Sequence, residues 1–263
     1  MAHDPWSPTR YARFRRERRQ PFRDLLALVR PAARMRVVDL GCGSGEITRL
    51  LHDHLGARET LGIDSSVNML ERATPFVAQG LRFEYGDIAS FAANAAWDLV
   101  FSNAVLHWLP DHPNLLARLI AAVRPRGQLA LHFPSNFEHP SHRLAVETAR
   151  ERPFAELLGG WERDVSVLPP ERYAERLAEL GCREQTVRLQ IYGHHLRDVD
   201  DVVEWTRGTL LTDYERRLPA DAYAAFVERY RDRLRAALGT ASPYFYTYRR
   251  LLVWARRPAS GSS

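Results

Sequence analysis

The chain has 263 residues, 45% of them hydrophobic, which is enough to bury the core of one large α/β domain. This composition argues against a disordered chain, and two distant cysteines, Cys42 and Cys182, argue against a disulfide scaffold or a zinc site. No segment approaches the ~20 apolar residues of a membrane span, and the amino terminus lacks a signal-peptide core. We therefore expect a soluble cytoplasmic protein, a monomer or weak dimer, with no membrane partner.

The net charge of +5 comes from arginine, because the sequence contains no lysine. Six arginines cluster near the amino terminus: Arg10, Arg13, Arg15, Arg16, Arg18 and Arg19. Such a cluster can bind nucleic acid, but the aromatic residues beside it form no known nucleic-acid motif. A solvated helix face is therefore the favoured interpretation, and we expect no nucleic-acid partner.

Strand and helix patterns alternate through the first half of the chain. Residues 21–29 place Phe22, Leu25, Leu26 and Val29 at helical spacing, which predicts an amphipathic helix. Further helices are predicted at 46–55, 65–73 and 111–123. The first should have one apolar face formed by Ile47, Leu50, Leu51 and Leu55. The second should have Val67, Leu70 and Ala73 on one side. Strands are predicted at 36–40, 60–64, 81–85, 97–103 and 128–133. Strands alternating with helices of this length predict βαβ units in a parallel sheet.

The pattern loosens beyond Pro134 into loops and helices. Helices are predicted at 169–182, 198–210 and 219–238, and strands at 186–196 and 244–257. In the closing strand Tyr244, Tyr246 and Tyr248 share one face by alternation, and we expect that face to belong mostly to the core.

These elements predict an α/β fold, a Rossmann-like doubly wound and mostly parallel sheet of seven strands with the last one antiparallel. An amino-terminal helical segment precedes the sheet, and a helical cap is inserted in the carboxyl half. The predicted boundaries are a helical lid at 1–30, a Rossmann-like domain at 31–134 and 186–257, cap elements at 134–185 and 198–240, and a disordered tail at 258–263. Ligands of such sheets bind at the carboxyl ends of the strands, which here carry Asp39, Asp64, Asp87, Ser102 and Asn103.

The stretch "VVDLGCGSGE", residues 37–46, places three alternating glycines between a strand and a helix. Glycines there let the backbone turn sharply and approach a ligand closely. The dinucleotide fingerprint G-x-G-x-x-G is not matched, because Glu46 occupies the place of its third glycine. Asp39 would repel a pyrophosphate and would instead favour a cationic group such as an amine.

Two further acids complete the pattern of a nucleoside site. Asp64 ends the next strand, 19 residues after Gly45, where a carboxylate can accept both ribose hydroxyls. Asp87 ends the third strand and can accept from an exocyclic adenine amine. Together with Asp39 these acids suit an adenosine that carries an amino acid and no phosphate, which describes S-adenosylmethionine.

At these residues the sequence resembles the class I S-adenosylmethionine-dependent methyltransferases, whose hallmark is an acid-x-G-x-G-x-G loop followed by a ribose-binding acid. The match spans about 100 residues and three separate motifs. The cofactor site that it implies comprises Asp39, Gly41, Cys42, Gly43, Gly45, Asp64, Ser65, Met69, Asp87, Ile88, Asn103 and Ala104.

Nearly the whole chain is similar to the trans-aconitate 2-methyltransferase family. The resemblance rests on "DPWSPTRYARFRRERRQPFRDLLALV", "VVDLGCGSGEITRLL", "GIDSSVNMLERA", "FSNAVLHWLPDH", "VRPRGQLALHFPSNF" and "VVEWTRGT". It implies an enzyme that esterifies one carboxylate of a tricarboxylic acid. The chain departs from the family where "LLTDYERR" replaces a Gly-Leu-Arg-Pro run, so the arginine expected near Leu211 or Thr212 is missing.

A carboxylate is already ionised at neutral pH, so its methylation needs no general base and no catalytic dyad is expected. His107 and Trp108 follow the fourth strand, where the methyl group should emerge, and are our catalytic candidates. The substrate-binding candidates are Trp6, Tyr11, Phe14, Tyr192, Arg207 and Arg250. The first three form either a lid or a helix packed permanently on the core. His194 and His195 point to opposite faces of a strand, so we expect no metal site.

Two alternatives remain open at this point. The acceptor could be another small molecule, including an acyl-carrier-bound carboxylate or a hydroxyl whose proton His107 would take. The other alternative is an RNA-associated methyltransferase that uses the basic amino terminus.

Overall fold

A computed structural model describes residues 15–259 of the chain, with side chains from Arg19 onward. The candidate substrate residues Trp6, Tyr11 and Phe14 lie outside the described residues, as do most of the amino-terminal arginine side chains. The chain divides into two units. The sheet unit comprises Arg19–Ser135, Ser166–Gln190 and the chain from Arg250, and the helical unit comprises Asn136–Val165 and Ile191–Arg249.

Seven strands form one sheet in the order β3-β2-β1-β4-β5-β7-β6. Their bounds are β1 Arg36–Leu40, β2 Glu59–Asp64, β3 Leu81–Tyr85, β4 Trp97–Asn103, β5 Val123–Pro134, β6 Gln185–Leu196 and β7 Tyr244–Arg256. Strand β1 pairs in parallel with β2 and β4, whereas β7 runs antiparallel to β5. The predicted doubly wound sheet with an antiparallel last strand is therefore confirmed, and the order reverses between β1 and β4.

The helices, numbered along the chain, follow the predicted positions in the first half. They are α1 Arg15–Leu26, α2 Glu46–Leu55, α3 Val67–Ala73, α4 His112–Ala122, α5 Pro140–Ala149, α6 Phe154–Leu157, α7 Pro170–Glu179, α8 Asp200–Arg207, α9 Thr212–Glu215 and α10 Ala220–Leu238. Short 3₁₀ turns lie at Thr74–Phe76 and Leu106–Trp108. Within residues 15–259, no helix combines the length and the apolar character that crossing a bilayer requires.

Two of the predicted helix faces needed correction. Leu50 is 42% exposed although Leu51 and Leu55 of the same helix are buried, because consecutive helical residues point about 100° apart and only one of the two leucines can face the sheet. Val67 is 59% exposed because it is the first residue of α3, whereas Ala73 at the other end is buried. The apolar face predicted for residues 21–29 is confirmed, since all four of its apolar side chains are buried.

The sheet unit has a hydrophobic layer on each face of its sheet, as the alternation along β1 shows. Val37 packs in one layer with Phe22, Leu51 and Phe101. Val38 and Leu40 pack in the other layer with residues of α4 and α7, including Leu119, Ile120, Tyr173 and Leu177. A parallel sheet covered on both faces holds the ends of its strands at fixed positions, and the polar residues described below lie at those ends.

The helical unit has a separate core that is rich in aromatic residues. Its largest fully buried side chains include Trp205, Tyr214, Phe226, Tyr230 and Tyr246. Tyr246 and Tyr248 are buried, and Tyr244 is partly exposed. The prediction that this face of the closing strand belongs mostly to the core is confirmed.

Leu51→Ala should lower the free energy of unfolding by about 2–5 kcal/mol, because the lost side chain leaves a cavity in a fully buried layer. Leu50→Ala is the matched control on the same helix, and it should change stability by less than about 0.5 kcal/mol because Leu50 is exposed. Urea denaturation measures both values. Equal destabilisation by the two substitutions would contradict the orientation of α2.

Candidate functional site

The glycine loop joins β1 to α2 through backbone conformations that only glycine adopts readily. Gly41 and Gly45 have φ angles of 79° and 77°. A Cβ atom at Gly41 would lie 2.2 Å from Cγ2 of Val105, so any side chain there would clash. At Gly43, no described atom lies within 4 Å of the place that a Cβ would take. The loop is therefore packed tightly at its two ends and has open space beside its central glycine.

Four amide groups of this loop donate to protein atoms. Gly41 and Cys42 donate to the carbonyl oxygen of Ile63 at 2.8 and 3.0 Å, and Gly45 donates to Cys42 at 3.1 Å. The amide of Gly43 donates to Oδ2 of Asp64 at 2.8 Å. A phosphate-binding loop needs free N–H groups, so this geometry supports the sequence argument against a pyrophosphate.

Asp64 at the end of β2 is held by two backbone amides. Its Oδ2 accepts from Gly43, and its Oδ1 accepts from Ser66 at 2.8 Å. A carboxylate offers about four lone-pair positions and accepts hydrogen bonds only. The arrangement fits a ligand with two neighbouring hydroxyl groups, as a ribose has.

Asp39 is buried beneath the loop, with only 2% of its surface exposed. Its Oδ2 accepts from the Thr48 hydroxyl at 2.6 Å, whereas its Oδ1 has no partner among the described residues. Burial raises its pKa to about 7; the Thr48 hydrogen bond opposes this rise, and the charge of Asp64 adds to it. A buried carboxylate oxygen without a partner indicates a site for a cationic ligand group.

Two cofactor candidates, Asp87 and Ile88, follow the end of β3. Asp87 is exposed, and its Oδ1 accepts from the amide of Ala89 at 2.9 Å, which closes a local turn. Ile88 is 6% exposed and packs in the core of the sheet unit.

The remaining cofactor candidates in the first half of the chain differ in how deeply they are buried. Cys42 is 6% exposed, and burial raises the pKa of its thiol well above the ordinary value, so the thiol is inert. Ser65 is exposed. Met69 is partly buried on α3, where its amide donates to the capping Ser66 hydroxyl at 3.2 Å.

Strand β4 ends in a turn that carries the next group of candidate residues. Ser102 is fully buried, and its hydroxyl donates to the carbonyl oxygen of Leu40 at 2.8 Å, which ties β4 to β1. Asn103 and Ala104 are partly buried, and Ala104 has a φ angle of 62°. The rings of His107 and Trp108 follow in the 3₁₀ turn, 4.7 Å apart and partly buried.

The 3₁₀ turn is anchored by a residue to which the sequence analysis gave no role in the site. His112 is 2% exposed, and its Nε2–H donates to the carbonyl oxygen of Leu106 at 3.0 Å. Its Nδ1 accepts from the hydroxyl of Tyr173. Burial lowers the pKa of His112, so the ring is neutral and its two nitrogens keep these separate roles. The turn that carries His107 and Trp108 is therefore fixed from inside the core.

A second histidine without an assigned role, His132 on β5, lies between two candidate residues. Its Nδ1 is 2.8 Å from Oδ1 of Asn103, and its Nε2 is 3.4 Å from Nη1 of Arg250. His132 is 1% exposed and Arg250 is 4% exposed. The only sequence signal was a lone histidine within the apolar run "QLALHF". Arg250, a predicted carboxylate anchor, is thus brought close to Asn103, a predicted cofactor residue.

The other two substrate candidates belong to the helical unit. Tyr192 on β6 is 8% exposed. Arg207 ends α8, is partly exposed and pairs with Glu204 at 3.3 Å.

The altered stretch after Thr209 is also part of this unit. Leu211 is fully buried and Thr212 is 8% exposed, so two buried side chains without charge lie where the resemblance led us to expect an arginine. Arg216 and Arg217 are exposed and pair with Asp213.

The adjacent histidines of β6 lie on opposite faces of the strand, as predicted. His194 is buried with its ring 4.9 Å from Trp205, and His195 is exposed with its ring 5.0 Å from Phe245. No group of three or more metal-ligating side chains occurs among residues 19–259.

Comparison with known proteins agrees with this geometry. A family model described as a methyltransferase domain matches residues 11–185. A trans-aconitate 2-methyltransferase of Deinococcus radiodurans is 42% identical over 259 residues, which cover 96% of this chain and 98% of the relative. One of Variovorax paradoxus is 39% identical over 258 residues, covering 97% and 99% of the two chains.

Solved structures show the same fold at lower identity. The YcgJ protein from Bacillus subtilis has a TM-score of 0.61 at 16% identity, and the match covers 92% of this chain and all of that one. An S-adenosylmethionine-dependent methyltransferase from Mesorhizobium loti has a TM-score of 0.50 at 21% identity, covering 89% and 96% of the two chains. On the sequence matches over nearly full length, the chain belongs to the trans-aconitate 2-methyltransferase family of S-adenosylmethionine-dependent methyltransferases.

Proposed function

We propose that the protein transfers a methyl group from S-adenosylmethionine to a carboxylate oxygen of trans-aconitate and releases the methyl ester. The observation that carries this proposal is the 42% identity to a trans-aconitate 2-methyltransferase over 96% of this chain and 98% of the relative. The similarity extends over the carboxyl half as well, beyond the segments that carry the cofactor motifs.

The polar groups around the glycine loop fit this methyl donor. The carboxylate of Asp64, at the end of β2, suits the two ribose hydroxyls, and the unpartnered Oδ1 of Asp39 suits the amino group of the methionine end. The open space beside Gly43 leaves room for that end to approach the backbone. When bound, S-adenosylmethionine supplies a methyl group that its sulfonium already activates. Asn103 and Ala104, at the end of the neighbouring strand, complete the proposed cofactor site.

The acid requires positioning rather than deprotonation. A carboxyl group with a pKa near ~4 is ionised at neutral pH, so its oxygen is already a nucleophile. Residues of this chain must then hold the anion in line and exclude water from it. Arg250 suits this task because a guanidinium binds a carboxylate through two parallel hydrogen bonds and stays charged when buried.

The remaining candidates contribute contacts rather than proton transfer. His107 and Trp108 offer an imidazole and an indole N–H at the end of β4, next to the proposed cofactor residues. The substrate roles of Tyr192 and Arg207, which belong to the helical unit, remain predictions from sequence. The role of Trp6, Tyr11 and Phe14, as a lid or as a helix packed permanently on the core, remains a prediction from sequence.

We further propose that the enzyme acts in the cytoplasm as a monomer or weak dimer, without a nucleic-acid partner. Both cysteines are free and buried, which suits a reducing compartment.

The substrate is tested by incubating the protein with methyl-labelled S-adenosylmethionine and a panel of di- and tricarboxylic acids. We expect base-labile methyl esters, formed most rapidly with trans-aconitate. Label found only in RNA, in an acyl-carrier protein or in a base-stable ether would overturn the proposed acceptor.

Binding of the cofactor should release a proton below about pH 7. The pKa of Asp39 in the ligand-free protein is raised to about 7, above the unfolded value of 3.8, so folding favours the protonated acid and stability falls as the pH rises from about 4 to about 7. An ammonium group beside Oδ1 favours the carboxylate, so the proton must leave on binding and affinity should increase as the pH rises through about 7.

Calorimetry in buffers of different ionisation enthalpy measures this proton release. We expect close to one proton at about pH 6 and almost none at about pH 8. Asp39→Asn is the control, which should abolish the difference between the two pH values. Equal release by the wild-type protein at both would contradict the role of Asp39.

A further inference from the structure

His132 occupies a position in β5 from which it reaches both neighbouring strands. Its backbone is in register with Asn103 of β4 on one side and with Leu252 of β7 on the other. Arg250 lies two residues before Leu252, so its side chain is on the same face of the sheet as the imidazole. The ring therefore lies between a group at the end of β4 and a group on β7, and it is 1% exposed.

The two contacts of the ring fix its tautomer. Arginine has donors and no acceptor, so the contact of 3.4 Å between Arg250 Nη1 and His132 Nε2 requires a lone pair on Nε2. The proton of the neutral ring is then on Nδ1, which donates to Oδ1 of Asn103 at 2.8 Å. This assignment also orients the Asn103 amide, because its oxygen faces the ring and its NH₂ group is directed away from it.

The backbone of His132 holds the same turn. Its carbonyl oxygen accepts from the amide of Ala104 at 2.7 Å, at the residue whose φ angle is 62°. One residue of β5 thus fixes Asn103 through its side chain and Ala104 through its main chain. Both belong to the proposed cofactor site.

The electrostatic surroundings favour the neutral ring that this arrangement needs. Burial lowers the pKa of His132 well below its ordinary value, and the nearby Arg250 and His107 lower it further. A protonated ring would present an N–H group to the donors of Arg250 and would lose that contact. A histidine that served only to fill the core would not need a fixed cation on one nitrogen and a strand-end amide on the other.

We propose that His132 is a positioning residue that aligns the two halves of the active site, orienting Asn103 for the methyl donor through Nδ1–H and Arg250 for the acid through Nε2. The Arg250 half rests on the proposed function, whereas the Asn103 half depends only on cofactor binding. His132 itself contacts neither reactant in this account.

Two conservative substitutions test the contact with Asn103 and the contact with Arg250 separately. In His132→Asn the amide nitrogen takes approximately the place of Nδ1, so the contact with Asn103 is kept and the acceptor for Arg250 is lost. In His132→Gln the amide oxygen takes approximately the place of Nε2, so the acceptor for Arg250 is kept and the donor to Asn103 is lost. His132→Phe, which has neither group, removes both contacts.

We expect His132→Asn to raise the KM for trans-aconitate about tenfold or more while the Kd for S-adenosylmethionine stays within about twofold. His132→Gln should show the reverse pattern, and His132→Phe should show both losses. Calorimetry gives the Kd, initial rates give the KM, and thermal melting identifies variants that fold. Equal effects of the Asn and Gln variants on both constants, or no effect on either, would overturn the proposal.

Nitrogen NMR of the ¹⁵N-histidine-labelled wild-type protein tests the geometry even if a variant fails to fold. We expect His132 to be the Nδ1–H tautomer and to stay neutral from about pH 8 to about pH 5.5, and the Nε2–H or charged form would overturn the proposal. If the wild-type protein forms no ester with any acid, the proposed function fails and the Arg250 half fails with it. The Kd of His132→Gln still tests the Asn103 half.

Discussion

The arrangement of the site depends on one carboxylate, that of Asp64, and on the two backbone amides that hold it. Gly43 and Ser66 donate to its two oxygens at 2.8 Å each, so the glycine loop after β1 and the cap of α3 are fixed relative to the end of β2. Since the loop amides are satisfied by Asp64, Ile63 and the loop itself, little N–H capacity is left for a phosphate. The carboxylate oxygens of Asp64 are acceptors, which suit the hydroxyl groups of the proposed ribose. The position of Asp64 therefore argues against a pyrophosphate and is compatible with the proposed ribose.

The charges of the sheet unit are arranged to suit the two proposed reactants. The strand ends that would receive a cationic methyl donor carry two acids, Asp39 and Asp64. Burial, with a smaller contribution from the charge of Asp64, raises the pKa of Asp39 to about 7. Arg250 is a buried cation that suits the proposed anionic acceptor. Between them, His132 is held neutral by burial and by its neighbours, so it adds no charge that would oppose either reactant. A reaction between a sulfonium and a carboxylate depends more on this placement of charged groups than on a general acid or a general base.

Local sequence was sufficient to predict the parts of the site that depend on neighbours in the chain. The loop with Asp39, the spacing to Asp64 and the cap at Ser66 follow from strand ends and helix starts, which short-range patterns specify. His132 was not found because its role comes from the register that places it beside Asn103 and Arg250, which are 29 and 118 positions away. His112 was missed for the same reason, since its partner Tyr173 is 61 positions away. Leu50 was placed wrongly because periodicity alone does not decide which of two adjacent leucines faces the core.

The central claim is that Asp64 shapes the loop and binds the methyl donor, and Asp64→Asn tests it most directly. An amide at this position presents an NH₂ group to one of the two backbone donors and offers one acceptor oxygen where there were two. Asp53→Asn is the control, because Asp53 is an exposed residue of α2 that pairs with Arg49. We expect calorimetry to show S-adenosylmethionine binding weakened more than about tenfold by Asp64→Asn and unchanged by Asp53→Asn. Unchanged binding by a folded Asp64→Asn protein would contradict the account.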